Sequence, residues 1–503
     1  MDLLSNLALG LSTALTLTNL GYCFIGVLLG TAIGVLPGLG PLATIAMLLP
    51  ITYQIGEPVS ALIMLAGIYY GAQYGGSTTA ILINVPGEIS SVVTTLDGYQ
   101  MAKQGRAGPA LAIAAIGSFA AGTIATVVIA AAAGPMSELA FTFGPAEYFS
   151  LMTLGLVGAV VLSHGSLLKA ICMVLAGILV GTVGIDVNSG VTRFSFGFDE
   201  LFDGVELAAV AIGVFGLSEI LINLERRDHR EKVTSKVGRL MPTKDDFRQS
   251  TWPILRGAGL GSILGVLPGG GSVLSSFSSY VLEKKLSRHP ERFGKGEIAG
   301  LAGPEAANNA GAQTSFIPML TLGIPSNVVM ALMIAAMMIH EITPGPQVIR
   351  NEPQLFWGLI ASMWVGNLML LVLNLPLIGL WIRLLTIPYR ILYPAIIMFC
   401  VIGTYSMRNN VFDVWLILPF FVMGYLWRKL GCEAAPFLLG IVLGPMLEKQ
   451  LRRAMIISRG EWDIFVMKPI SAALLGVTVM LLLAVALPFT AGKRREVFVE
   501  SED

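Results

Sequence analysis

The chain has 503 residues, of which 54% are hydrophobic and 13% are charged, against about 25% charged in an average soluble domain. Its mean hydropathy is +0.75, more apolar surface than soluble cores of ordinary size can hide, so lipid is the expected solvent. The 32 basic residues balance the 32 acidic ones, which removes any electrostatic case for a nucleic-acid partner.

From the N-terminus, the first punctuation is "GVLPGLGP" at 34–41, inside an otherwise apolar run. Proline lacks a backbone donor and glycine is conformationally free, so together they break a helix. In hydrocarbon the freed backbone groups have no water to turn to. A polar stretch follows, "YGGSTTAILINVPGE" at 74–88, with Gln73 just before it. The first Lys or Arg is Lys103, and no basic leader precedes a small-residue cleavage site, so no removable signal peptide is expected. Leu111–Ala133 is long enough to span a bilayer, which takes about 20 apolar residues.

Charge is densest in "ERRDHREKVTSKVGRLMPTKDDFRQS" at 225–250, and just beyond it the first break returns as "GVLPGGG" at 265–271. A basic loop at 283–297 leads to "GPEAANNAGAQTSFIPMLTLGIP" at 303–325. Spans Leu355–Ile378 and Ile470–Leu487 flank a second basic loop at 448–462, and the tail begins "KRREV" at Lys493. Basic loops mark the cytoplasmic side, leaving the N-terminus, which carries no Lys or Arg, outside. The expected fold is an all-α polytopic membrane protein of about 10–12 transmembrane helices with broken or re-entrant hairpins. Residues 1–224 form a first membrane repeat, 225–250 a charged cytoplasmic loop and 251–447 a second repeat. Residues 448–503 supply a C-terminal loop, the last transmembrane helix and a cytoplasmic tail.

The two halves share landmarks. "GTAIGVLPGLG" (Gly30–Gly40) aligns without gaps on "GSILGVLPGGG" (Gly261–Gly271), matching at Gly30, Gly34, Val35, Leu36, Pro37, Gly38 and Gly40. "GAQ" at Gly71–Gln73 precedes "NVPG" ending at Gly87, as "GAQ" at Gly311–Gln313 precedes "GIPS" ending at Ser326. The helix before Pro37 starts outside and the helix before Pro268 starts inside, so the repeats are expected to be inverted. Interrupted helices at corresponding positions of two repeats point to a transporter's binding site. A plain kink that eases packing is the other reading.

A broken helix offers free carbonyls to a cation and free N–H groups to an anion. The expected substrate contacts are therefore Pro37, Gly38, Leu39, Gly40, Ser77, Thr78 and Thr79, with Gly269, Gly270, Gly271, Ser272, Asn308 and Asn309 from the second half. Gln73, Asn84, Glu305, Gln313, Thr321 and Ser326 carry the oxygens expected to hold an ion. No Lys or Arg accompanies the first break, so an anion would be met there by backbone dipoles, hydroxyls or a co-bound cation. Arg193, Arg256 and Arg408 are basic residues that folding could still bring to a site. The four cysteines and four histidines are dispersed, so no transition-metal site and no cofactor are expected.

The paired breaks, "YGGSTTAILINVPGE" and "GPEAANNAGAQTSFIPMLTLGIP", in a chain of this length, resemble the large membrane subunit of the tripartite tricarboxylate transporters, the TctA family. The resemblance runs roughly from residue 20 to 450. It implies ion-gradient-driven uptake of citrate or other di- and tricarboxylates, usually with Na⁺, in the bacterial inner (plasma) membrane. Its implied partners are a small membrane subunit, a periplasmic solute-binding protein, the carboxylate and the lipid bilayer. The family's glycine-proline motif falls on Gly34, Pro37, Gly38, Gly40 and Pro41, and again on Gly265, Pro268, Gly269 and Gly271. The second copy reads Gly271-Ser272 where the first reads Gly40-Pro41, so the copies need not play equal parts. No GxxxxGK[ST] phosphate loop occurs, in keeping with gradient-driven transport. Two other classes stand beside this reading: a passive anion channel, with carbonyls selecting the ion, and an intramembrane enzyme. The latter would need paired carboxylates or a nucleophile with its base, which the sequence does not display, so an enzyme is not expected.

Overall fold

The computed structural model describes residues 3–36, 40–163, 166–186, 188–225, 238–267, 271–385 and 389–486. The expected contacts Pro37, Gly38, Leu39, Gly269 and Gly270 lie outside those residues, as does Pro268. Among the described residues regular structure is helical, apart from one antiparallel pair of two-residue strands, Gly184–Ile185 and Thr192–Arg193. Leu17–Gly34, Ala102–Phe141, Pro353–Asn374 and Val411–Lys429 are long and apolar enough to cross a bilayer by length and composition. Shorter apolar helices such as Pro41–Tyr53 and Val328–Ile339 accompany them, as expected where spans are interrupted. The chain is an all-α polytopic membrane protein.

It divides into two compact units. One comprises Met1–Glu138 with Glu206–Lys429. Its organising element is Pro58–Ile83, a 26-residue helix buried from Ser60 to Leu82. Leu17–Gly34 lies along it in parallel: a Cβ added to Gly26, Gly30 or Gly34 would fall 2.3–2.4 Å from the carbonyl oxygens of Met64, Ile68 and Ala72 in turn. Gly71 and Gly75 close the same seam from the opposite side, against the backbone of Thr31 and Val35. Glycines four apart on both helices let the backbones touch, which is how helices associate where lipid removes the hydrophobic drive.

The second half of this unit repeats the device. Lys244–Leu264, capped by Thr243 with Asp246 in a reciprocal box, runs parallel to Ile298–Thr314. Cβ atoms on Gly257, Gly261 and Gly265 would lie 2.2–2.4 Å from the carbonyl oxygens of Gly303, Ala307 and Gly311. The two pairs thus close on a common pattern, each just before its glycine-proline break.

The other unit comprises Leu139–Val205 and Leu430–Asp503. In it Leu167–Gly181 packs on Ala435–Ile457 through Gly177, whose Cβ position lies 2.1 Å from the Phe437 carbonyl oxygen. Ser150 and Ser471 share a buried hydrogen bond of 2.7 Å, joining Pro145–Leu162 to Pro469–Ala486. Asp186 is paired with both Arg193 and Arg452, and each of these arginines also reaches Glu448.

Candidate functional site

Pro58–Ile83 ends at Asn84, whose φ of 56° and ψ of 27° place it in the left-handed region, which asparagine enters more readily than most residues. The chain then folds back. A Cβ on Gly87 would stand 2.4 Å from the Gly76 Cα and 3.1 Å from the Gly34 carbonyl oxygen. Gly40, on the far side of the first break, lies against Gly87 and Glu88, its Cβ position 3.2 Å from the Gly87 oxygen. Both ends of the "GVLPGLGP" break therefore meet the turn at 84–88. Pro41 opens the next helix at its first position, where its missing donor costs nothing.

Glu305 lies two turns into Ile298–Thr314 and is 1% exposed. It accepts hydrogen bonds from the hydroxyls of Ser77, at 2.7 Å, and Thr94. One turn further, Asn308 donates from Nδ2 to Glu88 at 3.2 Å, and its Oδ1 has no partner among the described residues. Two carboxylates thus share one patch of helix, with Tyr74 facing Glu305 and Ser90 beside Glu88. Neither has an ion-pair partner among the described residues. A cavity opens against Glu305, lined on its polar side by Tyr74, Ser77, Thr78, Ser118 and Asn374, with Ile81, Leu111, Ala114 and Ala115 as the apolar wall.

The second break converges on the same region. Ser315 sets its hydroxyl 3.2 Å from the Gly265 carbonyl and receives Asn327 Nδ2 at 3.1 Å. Ser326 donates to the Ser315 carbonyl at 3.2 Å. Gly271 starts the next helix with φ +50°, its Cβ position 3.0 Å from Asn327 Nδ2. The Tyr69 phenol, on the first-half helix, faces Ser272, Asn327 and Gln73, and Phe316 packs on the rings of Tyr69 and Tyr70 at 6.3 and 6.0 Å. Ser276 donates to the Ser90 carbonyl at 2.8 Å, tying the Gly271–Leu286 helix to the turn after Glu88.

Of the expected site residues, Ser77, Glu305 and Asn308 meet directly around the carboxylates, Thr78 lines the cavity, and Gly40 abuts Glu88. Asn309 donates to Ser118 at 2.7 Å, on the cavity wall. Gln73, Gly271, Ser272 and Ser326 gather at the second break. Thr79 and Thr321 instead return their hydroxyls to their own helices, at Gly76 and Ile317, the local bonding that membrane Ser and Thr commonly make. Asn84 is exposed at its helix end, and Gln313 takes part in a separate contact with Thr126. Sequence reasoning passed over Glu88, Thr94, Ser118 and Tyr69. Glu88 carried a signal, as an acid directly after Pro-Gly in an apolar region; Thr94 and Ser118 carried none. The three arginines held in reserve are each engaged by carboxylates: Arg193 by Asp186 and Glu448, Arg256 by Glu283 at 2.5–2.8 Å, and Arg408 by Glu206 at 2.9 Å.

Broken helices that close on the buried Glu305, the half-buried Glu88 and their hydroxyls, in a chain built to sit in lipid, are the arrangement of a membrane transporter component. The chain belongs to the tripartite tricarboxylate transporter TctA family, which it matches over residues 20–439. It is 59% identical over 502 residues, the whole of both chains, to an uncharacterized 52.8 kDa protein in the TAR-I ttuC' 3' region of Agrobacterium vitis. A protein in the TAR-II ttuC' 3' region of the same organism is 60% identical over 242 residues, all of that protein and 48% of this chain. No solved structure matches the chain.

Proposed function

We propose that the chain is the large membrane subunit of a three-part uptake system in the bacterial inner membrane. It moves a di- or tricarboxylate inward with Na⁺, working with a small membrane subunit and a periplasmic solute-binding protein. The observation that carries this reading is the Glu88–Glu305 patch: two carboxylates, ringed by hydroxyls and an amide, with no basic partner among the described residues. Unpaired carboxylates in a membrane interior are costly, and a hard cation with oxygen ligands neutralises them. The carboxylate substrate is then received by backbone N–H groups where Pro41–Tyr53 and Gly271–Leu286 begin, with the bound cation offsetting its charge. The matching glycine seams of the two halves support a repeat plan, and the placement of basic loops supports its inversion; in such a plan one bundle rocks against the other around the breaks.

Reconstitution with the small subunit and binding protein tests this. Uptake of labelled citrate or a dicarboxylate should depend on an inward Na⁺ gradient and proceed against the substrate's own gradient. Glu305→Gln should keep membrane insertion and lose that dependence. Uptake that never exceeds equilibration would establish a passive channel instead, and uptake indifferent to Na⁺ but abolished by a proton ionophore would replace Na⁺ by H⁺.

A further inference from the structure

The Pro353–Asn374 helix carries an amide that the carboxylate patch leaves unused. Asn367 is 0% exposed, and neither its Oδ1 nor its Nδ2 has a hydrogen-bond partner among the described residues. Buried polar groups are nearly always satisfied, by protein, water or ion, and an interior without water makes the requirement stricter. What faces Asn367 is polar as well. The point where a Cβ on Gly122 would stand lies 2.7 Å from Asn367 Nδ2, 2.8 Å from its Oδ1 and 2.7 Å from Gln313 Nε2. Any side chain larger than glycine at 122 would fill the face these amides share.

Thr126, one turn along the same helix, sets its hydroxyl 2.8 Å from the Gly122 carbonyl and 2.9 Å from Gln313 Oε1. A hydroxyl has one hydrogen to give, and the Gly122 carbonyl already accepts a backbone N–H within the Ala107–Phe141 helix, so Gln313 Oε1 is the oxygen left with lone pairs free when Thr126 donates to Gly122. The Tyr70 ring lies 3.9 Å from the Cβ position of Gly366, next to Asn367, and its hydroxyl too has no partner among the described residues. The oxygens on offer are neutral, Asn367 Oδ1, Gln313 Oε1 and the Thr126 hydroxyl, with the amide nitrogens of Asn367 and Gln313 beside them, and none of these residues is an ionisable carboxylate or a base. A carboxylate ligand would find nothing positive here, and a transition metal would find none of its preferred ligands. A hard monovalent cation finds the oxygens it needs.

We propose that Asn367, Gln313, Thr126 and Gly122 form a second, charge-neutral Na⁺ subsite, separate in its residues from the Glu88–Glu305 patch. The proposal rests on the Na⁺-coupled reading above and deepens it: two Na⁺ ions bind per turnover, one among carboxylates and one among neutral oxygens.

The test titrates NaCl against choline chloride at constant ionic strength on the complex of this chain with its small membrane subunit. Two readouts are used: uptake in proteoliposomes supplied with the binding protein, and the Na⁺-induced rise in melting temperature in detergent. The wild-type response should be sigmoid in Na⁺. Asn367→Leu should raise half-saturating Na⁺ at least tenfold and make the curve hyperbolic, whereas Asn367→Asp, which adds a charged oxygen, should lower it. A structural water beside Asn367 would not give opposite shifts, so variants that both titrate like wild type overturn the subsite. If Asn367→Leu is not recovered folded, Asn367→Asp and Thr126→Val decide, and unchanged half-saturation in both overturns it. Loss of Na⁺ dependence in Glu305→Gln with unaltered Asn367 variants sinks the subsite alone; a wild-type complex indifferent to Na⁺ in both readouts sinks the coupled reading.

Discussion

Gly30→Ala puts the glycine seam to a quantitative test. The added Cβ would stand 2.3 Å from the Ile68 carbonyl oxygen and 2.8 Å from the Ile68 Cα, while carbon and oxygen ordinarily approach to about 3.3 Å. The obstacle is backbone, so no rotamer relieves it, and Leu17–Gly34 must move about 1 Å away from Pro58–Ile83. Overpacking of this kind costs about 1–3 kcal/mol. The shift also pulls the break after Gly34 away from Gly75 and Gly87, and a displacement of about 1 Å at a site can cost on the order of 100-fold in rate. Gly21→Ala on the same helix is the control: nothing lies within 4 Å of its Cβ position, and alanine is the better helix former by about 1 kcal/mol. Purified complexes would be compared by thermal unfolding and by initial uptake rate. Gly30→Ala should melt below wild type and transport poorly, with Gly21→Ala at or above wild type in both. Equal behaviour of the two variants would refute the claim that backbone contact at this seam sets the geometry of the break.

Further outcomes follow from other parts of the chain. Asp97 is 0% exposed and accepts from the backbone N–H groups of Gly296 and Glu297 at 2.8 Å and from Tyr280 at 3.0 Å. Asp97→Ala leaves those donors unsatisfied and should destabilise by about 1–3 kcal/mol, read by denaturant unfolding, with Asp97→Asn milder. Asp186 is held below the usual carboxylate range, first by the Asn188 backbone N–H and next by Arg193. Its contribution is therefore present above the unfolded value of about 3.9 and is lost as pH falls towards the lower folded value. Asp186→Asn should melt below wild type at neutral pH, and the gap should narrow under acid; a constant gap would speak against the ion-pair role. Glu305→Gln and the Asn367 variants complete the set, each read by its Na⁺ titration.

Much of the architecture was legible because its signals are local. Pro and Gly announce a break wherever they stand, so 34–41 and 265–271 could be paired before any fold was known. Composition alone required lipid; the apolar run at 111–133 lies within helix Ala107–Phe141, and the run at 355–378 covers most of Pro353–Asn374 but overshoots its end, where a turn at 375–377 leads into the next helix at Ile378. The site was only partly legible, for a physical reason. Glu305 and Asn308 stand out as polar residues in apolar surroundings, but a threonine such as Thr94 looks the same whether it bonds its own helix or a carboxylate 211 residues away. Thr79 and Thr94 differ in which neighbour the fold supplies, not in anything their flanking residues encode. Asn367 escaped notice because a single amide in a long span is ordinary until its lack of partners is seen.

The hydrogen bond between Ser77 and Glu305 joins residues 228 positions apart. At a synthesis rate of about 5–20 residues per second, Glu305 leaves the ribosome roughly 10 to 45 s after Ser77. Throughout that interval the first-half helix is complete in sequence while its polar face has nothing to bind. Insertion and assembly must then be separate events: the early helices wait, shielded by water, translocon or small subunit, until Ile298–Thr314 arrives. Ribosome-bound chains arrested before residue 298 should therefore be more readily extracted from the membrane, or degraded, than chains arrested far enough on for Ile298–Thr314 to have left the ribosome.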